Sequence, residues 1–269
     1  AVAQGATLGL EEAWSGTLSF SLQIYFDLSG YSDIAVGLGY LFGFRLPINF
    51  ESPYKASSLI NFWHRWHITL SQFIRDYIYI PLGGNRHGSI RRSVNIITIM
   101  LISGIWHGSG ATFIIWGGVH GIGLAINHTW REFRKSLGYS LENKNFLSKI
   151  TARIFTFLTV TILWVFFRAE NLDASFSIFQ SLLGLNGLSV SDFNNIKINE
   201  DRLWFLILIV SFAPNMREIM SKHSTENKKS NSSQQSLDLE KRWYHWQPNH
   251  WWAALTAILF IVSLLELTQ

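Results

Sequence analysis

Three histidines lie in a long stretch of the chain that carries no charged residue. His107, His120 and His128 fall within residues 93–130, which contain no Asp, Glu, Lys or Arg. A polar ring in an apolar environment costs free energy unless it is hydrogen-bonded or wetted, and polar groups in such segments tend to mark pathways or active sites. Burial keeps an imidazole neutral at pH 7, with one nitrogen able to accept a proton. His107 is therefore a candidate general base.

The neighbours of His107 fit this role but do not prove it. Trp106 and Gly108 flank the ring, and the small residues 108–110 offer room beside it for a substrate chain. The same histidine could equally be a packing residue among tryptophans in a helical bundle. For His120 and His128, packing is the simpler interpretation.

A second group of polar candidates follows Phe62. His64 and His67 are three residues apart and would share one face of a helix, which is a spacing that a metal pair could use. No carboxylate follows within the next turns until Asp76, so no metal site is predicted. Ser71 lies one turn after His67 and could in principle be a nucleophile. Because no carboxylate is available to orient the pair, a helix–helix contact is the simpler role.

Two aspartates lie in an otherwise apolar region near the start of the chain. Asp27 and Asp33 are six residues apart and do not share one helix face neatly. Asp27 could pair with a buried arginine, such as Arg65 or Arg75, which would be a structural role. The functional alternative is a proton relay or an ion path. Arg75 and Asp76 could instead hold their own segment in place through charge-assisted hydrogen bonds.

Composition places these candidates in a membrane protein. The 269 residues are 48% apolar and only 15% charged, against roughly a quarter charged in soluble proteins. The uncharged runs 93–130 and 243–265 both exceed the roughly 20 residues that cross a bilayer. The absence of cysteine excludes disulfides, thiolate zinc sites and a cysteine nucleophile. The net charge of +4 fits basic cytoplasmic loops, and we predict no nucleic-acid partner.

The hydropathy pattern predicts an all-α, polytopic transmembrane bundle with re-entrant or interfacial helices. Residues 93–130 are long enough for two crossings broken at 108–110, with basic clusters at both outer ends. Residues 47–81 are amphipathic and suit a re-entrant or interfacial segment lining a cavity. Residues 217–242 are a predicted polar loop. The other predicted helical segments are 13–44 (one or two helices), 154–167, 203–213 and 251–265.

Several blocks of sequence, taken in order, resemble the membrane-bound O-acyltransferase family. The branch that they resemble is the bacterial alginate O-acetyltransferase type, and the D-alanyl transferases of teichoic acids share the Arg-Trp-His and Trp-His-Gly blocks. The blocks are YFDLSGYSDIAVGLG at 25–39, INFESPY at 48–54, FWHRWHITLS at 62–71, RDYIYIPLGGNR at 75–86, GIWHG at 104–108 and WVFFRAE at 164–170.

The resemblance implies a multi-pass protein of the bacterial plasma membrane with a tunnel and a buried catalytic histidine. The family's Trp-His-Gly histidine matches His107, and its Arg-Trp-His histidine matches His67. The implied reaction moves an acetyl group from acetyl-CoA, or another acyl thioester, toward exopolysaccharide hydroxyls, with no bound cofactor. The implied partners are this donor, the lipid bilayer, a polysaccharide acceptor and a periplasmic protein that accepts or transfers the acetyl group.

Family members carry further helices before the block at 25–39. Residues 1–269 are therefore expected to form a single domain that is the C-terminal part of a longer protein. The alternative function is a proton-coupled transporter or flippase in which Asp27, Asp33 and the histidines relay protons. A purely structural scaffold would leave the cost of a histidine inside an uncharged span unexplained.

Overall fold

The structure is a computed structural model that describes residues 7–139, 145–188, 200–220 and 245–266. Helices and turns, without a strand, make up these ranges. The chain divides into two compact units, Ala1–Phe212 and Ala213–Gln269. All of the catalytic candidates lie in the first unit. The prediction of a single domain over 1–269 stays a prediction, and the predicted polar loop 217–242 lies outside the described residues beyond Met220.

The first unit contains eight α-helices among its described residues. Helix α1 is one continuous helix, where the sequence left one or two open. Helix α7 was not predicted. The helices are α1 (Leu10–Leu41), α2 (Leu59–Trp63), α3 (Ile68–Ile74), α4 (Gly88–His107), α5 (Ala111–Ser136), α6 (Phe146–Arg168), α7 (Leu172–Leu182) and α8 (Glu200–Phe212). A 3₁₀ turn covers Pro53–Lys55 and a π-helical turn covers Arg75–Tyr79.

Local sequence explains where several helices begin and end. Ser58 caps α2 by accepting a hydrogen bond from the Asn61 N–H at 3.1 Å. Asn171 caps α7 in the same way, by accepting from the Ala174 N–H at 2.8 Å. Such caps satisfy N–H groups that have no partner within the helix. Gly108 is extended and ends α4, which confirms the predicted break between the two halves of residues 93–130.

Helices α4 and α5 form a closely packed hairpin. A side chain at Gly117 would place its Cβ 2.3 Å from the Met100 carbonyl oxygen, and one at Gly104 would lie equally close to the Phe113 carbonyl oxygen. Glycine at these two positions lets the helix backbones approach, as small residues do in packed membrane helices. At the other end of the hairpin, Arg92 and Glu132 form a bidentate ion pair that joins the helices.

An aromatic core connects this hairpin to the other helices of the first unit. Trp116 of α5 and Trp164 of α6 are both 1% exposed and stack with their ring centroids 5.8 Å apart. Trp66 contacts Trp164 at 5.1 Å, and the buried Tyr54 donates a hydrogen bond to the Ser21 carbonyl of α1. The core therefore fixes the hairpin against α1, α6 and the short helices.

One described helix, α6, is both long and apolar enough to cross a membrane on its own. Helices α4 and α5 are long, but glycine, histidine and other polar residues lower their mean hydropathy. The second unit contains α9 (Met216–Met220) and α10 (His250–Glu266), and α10 includes a shorter apolar stretch, His250–Ser263.

Candidate active site

His107 is the last residue of α4 and lies at the apex of the α4–α5 hairpin. Its ring packs edge-to-face against Trp116 at a centroid distance of 5.3 Å and Phe167 at 5.1 Å. Trp106 lies beside it at 4.9 Å, with 63% of its own surface exposed. His107 is only half-buried, and the following residues 109–110 are exposed. The ring is thus held on two sides and remains open at the apex.

The glycine after His107 serves a different purpose from the one predicted. The sequence suggested that Gly108 leaves room for a substrate chain. A side chain at Gly108 would place its Cβ 2.6 Å from the ring of Phe113, which already fills that space. Gly108 therefore allows Phe113 to pack closely behind the apex. The space beside Gly108 is occupied and is not available to a substrate chain.

His67 is within electrostatic range of His107, and its ring contacts Phe50 at a centroid distance of 6.3 Å. It connects α2 to α3 with a left-handed backbone, at φ 43° and ψ 57°. Its Nδ1 atom is buried and has no hydrogen-bond partner within the described ranges. The prediction that His64 and His67 share a helix face is wrong, because α2 ends at Trp63 and α3 begins only at Ile68.

His120 is fully buried one turn after Trp116 on α5. Its Nδ1 accepts a hydrogen bond from the Trp63 indole N–H at 3.3 Å, and its ring contacts Trp116 at 5.1 Å. This enclosure supports the packing interpretation of His120. Because Trp116 contacts both His107 and His120, the fully buried His120 also helps to define the surroundings of the half-buried His107.

A cavity of about 500 Å³ lies between α2–α3 on one side and α4–α5 on the other. Ile96, Ile99, Met100 and Ser103 line it from α4. These spacings of three and four residues place them on one helix face. His107 is four residues beyond Ser103 and continues the same face. The cavity therefore runs along the helix face that ends at the candidate base.

One end of this cavity is polar, and the other reaches the aromatic core. Arg75, Tyr79, Asn85, His64 and His128 line its polar part. Trp63 lines it too, and the Trp63 ring contacts Trp116 at 5.8 Å. His128 is thus a cavity residue, where the sequence favoured packing. Sequence reasoning missed Trp63 and Ser103 as cavity residues. Ser103 could have been found, because it follows Ile96, Ile99 and Met100 at helical spacings of three and four residues.

Several predicted support residues have local partners. Arg75 forms hydrogen bonds to Asp76 at 2.7 and 3.1 Å, and these bonds lower the pKa of the Asp76 carboxyl group. Arg65 donates to the Glu51 carbonyl oxygen at 3.1 Å. Asp27 is exposed on α1 and forms no ion pair with either arginine in the described part of the chain, so the pairing that the sequence allowed is not formed.

The remaining candidates are Asp27, Asp33 and Ser71. Asp27 and Asp33 are exposed on α1 and do not line the cavity, so no relay from them to the histidines is seen in the described part of the chain. Ser71 lines the cavity, but its hydroxyl is within hydrogen-bond range of the Trp63 and Trp66 carbonyl oxygens, at 3.3 and 3.4 Å. This geometry fits a helix contact. No group of three His, Asp or Glu side chains suited to a metal ion occurs among the described residues.

Comparisons with known proteins identify what this arrangement resembles. The family model for membrane-bound O-acyltransferases matches residues 12–168, which include both histidines and the cavity. The chain is 42% identical over 215 residues to the peptidoglycan O-acetyltransferase of Helicobacter pylori, covering 77% of this chain and 40% of that protein. It is 42% identical over 210 residues to a probable alginate O-acetylase of Pseudomonas fluorescens, covering 78% and 40%.

A more distant relative is the teichoic acid D-alanyltransferase of Streptococcus thermophilus. It is 32% identical over 162 residues, covering 55% of this chain and 39% of that protein. The chain spans about two fifths of the length of the curated relatives that it matches. The family model alone covers more than half of the chain, and the resemblance found in the sequence is confirmed. The chain belongs to the membrane-bound O-acyltransferase family.

Proposed function

We propose that the protein is an O-acetyltransferase embedded in the bacterial plasma membrane, with His107 as its general base. The observation that carries this proposal is the placement of His107. It ends the α4 face that lines the cavity, while its ring stays open at the hairpin apex. A donor and an acceptor can therefore approach the same imidazole from different sides.

The cavity suits the donor. From Ile96 to His107 the face of α4 extends about 16 Å, at 1.5 Å per residue, which is enough for a narrow thioester arm. The apolar walls suit such a chain, and the polar end with Arg75, His64 and His128 suits its charged or amide-bearing part. The basic residues at this end of the hairpin, such as Arg91, Arg92, Arg131 and Arg134, support a cytoplasmic location for it by the positive-inside rule. We infer that acetyl-CoA, or another acyl thioester, enters here.

The apex suits the acceptor. A hydroxyl at the open side of His107 gives its proton to the imidazole as its oxygen attacks the thioester carbonyl carbon. The resulting tetrahedral intermediate collapses, the carbon–sulfur bond breaks, and the imidazolium returns the proton to the departing thiolate. The products are an O-acetyl ester and a free thiol. His67, within electrostatic range of His107, would orient or polarise the acyl carbonyl.

The proposed topology is multi-pass, with the α4–α5 hairpin entering the bilayer from the cytoplasm and residues 47–81 re-entrant or interfacial. The proposed acceptor is a polysaccharide hydroxyl, reached directly or through a periplasmic protein that accepts or transfers acetyl groups. The names of the bacterial relatives, which act on peptidoglycan or alginate, support this class of acceptor. No bound cofactor takes part in the proposed mechanism.

A substitution in the cavity wall tests the donor route. Replacing Ile99 by tryptophan fills the cavity, so we expect the KM for acetyl-CoA to rise by about tenfold, equivalent to about 1.4 kcal/mol of binding. The assay uses membranes from cells expressing the gene that encodes this chain. It counts alkali-labile acetyl esters formed from radiolabelled acetyl-CoA, normalised to the amount of protein.

The matched control is Ile102→Trp on the same helix, where the isoleucine is 37% exposed and does not line the cavity. We expect its KM to stay within about twofold of the wild-type value. Equal effects of the two tryptophans would contradict the donor route, and membranes without acetyl transfer would contradict the proposed activity itself.

A further inference from the structure

His67 has a backbone conformation that needs support. Its φ of 43° lies in the left-handed region, which crowds the Cβ of any residue other than glycine. Such conformations persist when the surrounding structure imposes them, and they cluster at functional sites. His67 is also the N-cap residue of α3, yet its own side chain forms no capping hydrogen bond. Another group must therefore hold the start of this helix.

Residues 49–51 form a strap that lies along residues 65–69 and is hydrogen-bonded to them on both sides of His67. On one side, the Glu51 N–H donates to the Arg65 carbonyl oxygen at 3.0 Å. On the other, the Ile68 N–H donates to the Asn49 carbonyl oxygen at 3.0 Å. The backbone bonds thus clamp the residues on either side of the left-handed position.

The side chain of Asn49 supplies the missing cap. Its Oδ1 accepts from the Thr69 N–H at 3.2 Å and from the Thr69 hydroxyl at 2.6 Å. An N-cap side chain normally satisfies an N–H of the first turn in this way, but here the acceptor comes from 20 residues earlier in the chain. The side chain acts only as an acceptor in these bonds, so a carboxylate oxygen could replace it.

We propose that Asn49 is a positioning residue for His67. Its Oδ1 caps α3 from outside the helix and so holds His67 in the left-handed conformation that fixes the direction of its side chain. This inference rests on the proposed function, because it assigns Asn49 an effect on turnover through His67. A purely structural Asn49 would stabilise the segment without a specific link to the histidine.

Two substitutions of Asn49 test whether turnover depends on its acceptor oxygen. Asn49→Ala removes the acceptor, and we expect kcat for acetyl transfer to fall by about tenfold, with little change in KM, since His67 acts after the donor is bound. Asn49→Asp keeps an acceptor oxygen in place, and we expect kcat within about twofold of wild type. Both variants are measured in membranes with radiolabelled acetyl-CoA at matched protein amounts.

A double-mutant cycle with His67→Ala then tests the link. If Asn49 acts through His67, Asn49→Ala in the His67→Ala background causes no further loss. The same fractional loss in both backgrounds, or failure of Asn49→Asp to restore turnover, would overturn the inference. Where His67→Ala leaves too little turnover to measure, the KM of Asn49→Ala decides, because a merely loosened α3 would also disturb the cavity wall and raise the KM for acetyl-CoA, which would overturn the inference.

His107→Ala in the same series distinguishes a failure of the proposed function from a failure of the role assigned to Asn49. An inactive His107→Ala together with additive Asn49 and His67 effects would leave the proposed function standing and remove the role of Asn49. An active His107→Ala would overturn the base role regardless of the results at Asn49.

Discussion

Replacing His107 by alanine is expected to lower acetyl transfer by about 10²–10⁴-fold, which is the usual contribution of a positioned general base. His107 is the imidazole at the apex that is both open and aligned with the cavity face of α4. Alanine removes the proton acceptor and leaves Trp116 and Phe167 in place around the gap. The expected loss is therefore in kcat, with a smaller change in the KM for acetyl-CoA.

The measurement compares ester formation from acetyl-CoA by wild-type and variant membranes, with protein amounts matched by immunoblot. His87→Ala is the control, because His87 is an exposed histidine that immediately precedes α4 and does not line the cavity. We expect it to retain wild-type turnover. Near-wild-type turnover of His107→Ala at normal expression would refute the base role.

Adding one methyl group at Gly117 is expected to destabilise the first unit by about 1–3 kcal/mol, as overpacking of a tight interface does. The new Cβ would lie 2.3 Å from the Met100 carbonyl oxygen and 3.0 Å from its carbonyl carbon. These are backbone atoms, which cannot rotate away as the end of a flexible side chain could. Helix α4 has to move away from α5, and His107 at its end moves with it.

Thermal unfolding of the purified protein in detergent measures this effect, and turnover measures the displacement of His107. Gly16→Ala is the matched control, because a Cβ at this α1 position would meet nothing within 4 Å. Alanine in an open helical position stabilises by up to about 1 kcal/mol relative to glycine, so we expect Gly16→Ala to unfold at the wild-type temperature or higher. A Gly117→Ala protein as stable as Gly16→Ala would show that α4 and α5 are not closely packed.

Local features of the fold could be predicted from the sequence. The small residues at 108–110 correctly marked the end of α4, and the predicted segment 203–213 ends within one residue of α8, at Phe212. The blocks around His67 and His107 identified the family. These predictions succeeded because helix termination and sequence blocks depend on residues that are near one another along the chain.

The parts of the candidate site that depend on helix packing could not be predicted. The sequence allowed Asp27 to pair with a distant arginine, but Asp27 is exposed on α1, which only the packing of that helix decides. The bond between the adjacent Arg75 and Asp76 was among the predicted alternatives, because it needs no tertiary contact. The ring of Phe113 fills the space at Gly108, which only the folded hairpin places there. The left-handed backbone of His67 likewise depends on bonds to residues 49–51, some twenty positions earlier.

The packed rings of Trp63, Trp116 and Trp164 have a consequence for unwanted hydrolysis. Trp63 lines the cavity and meets Trp116 edge-to-face, and Trp116 stacks on Trp164, so the cavity ends against apolar, buried rings. Under the proposed function, a thioester carbonyl held against these rings would meet little water, and its loss by hydrolysis would be slow compared with transfer to the acceptor.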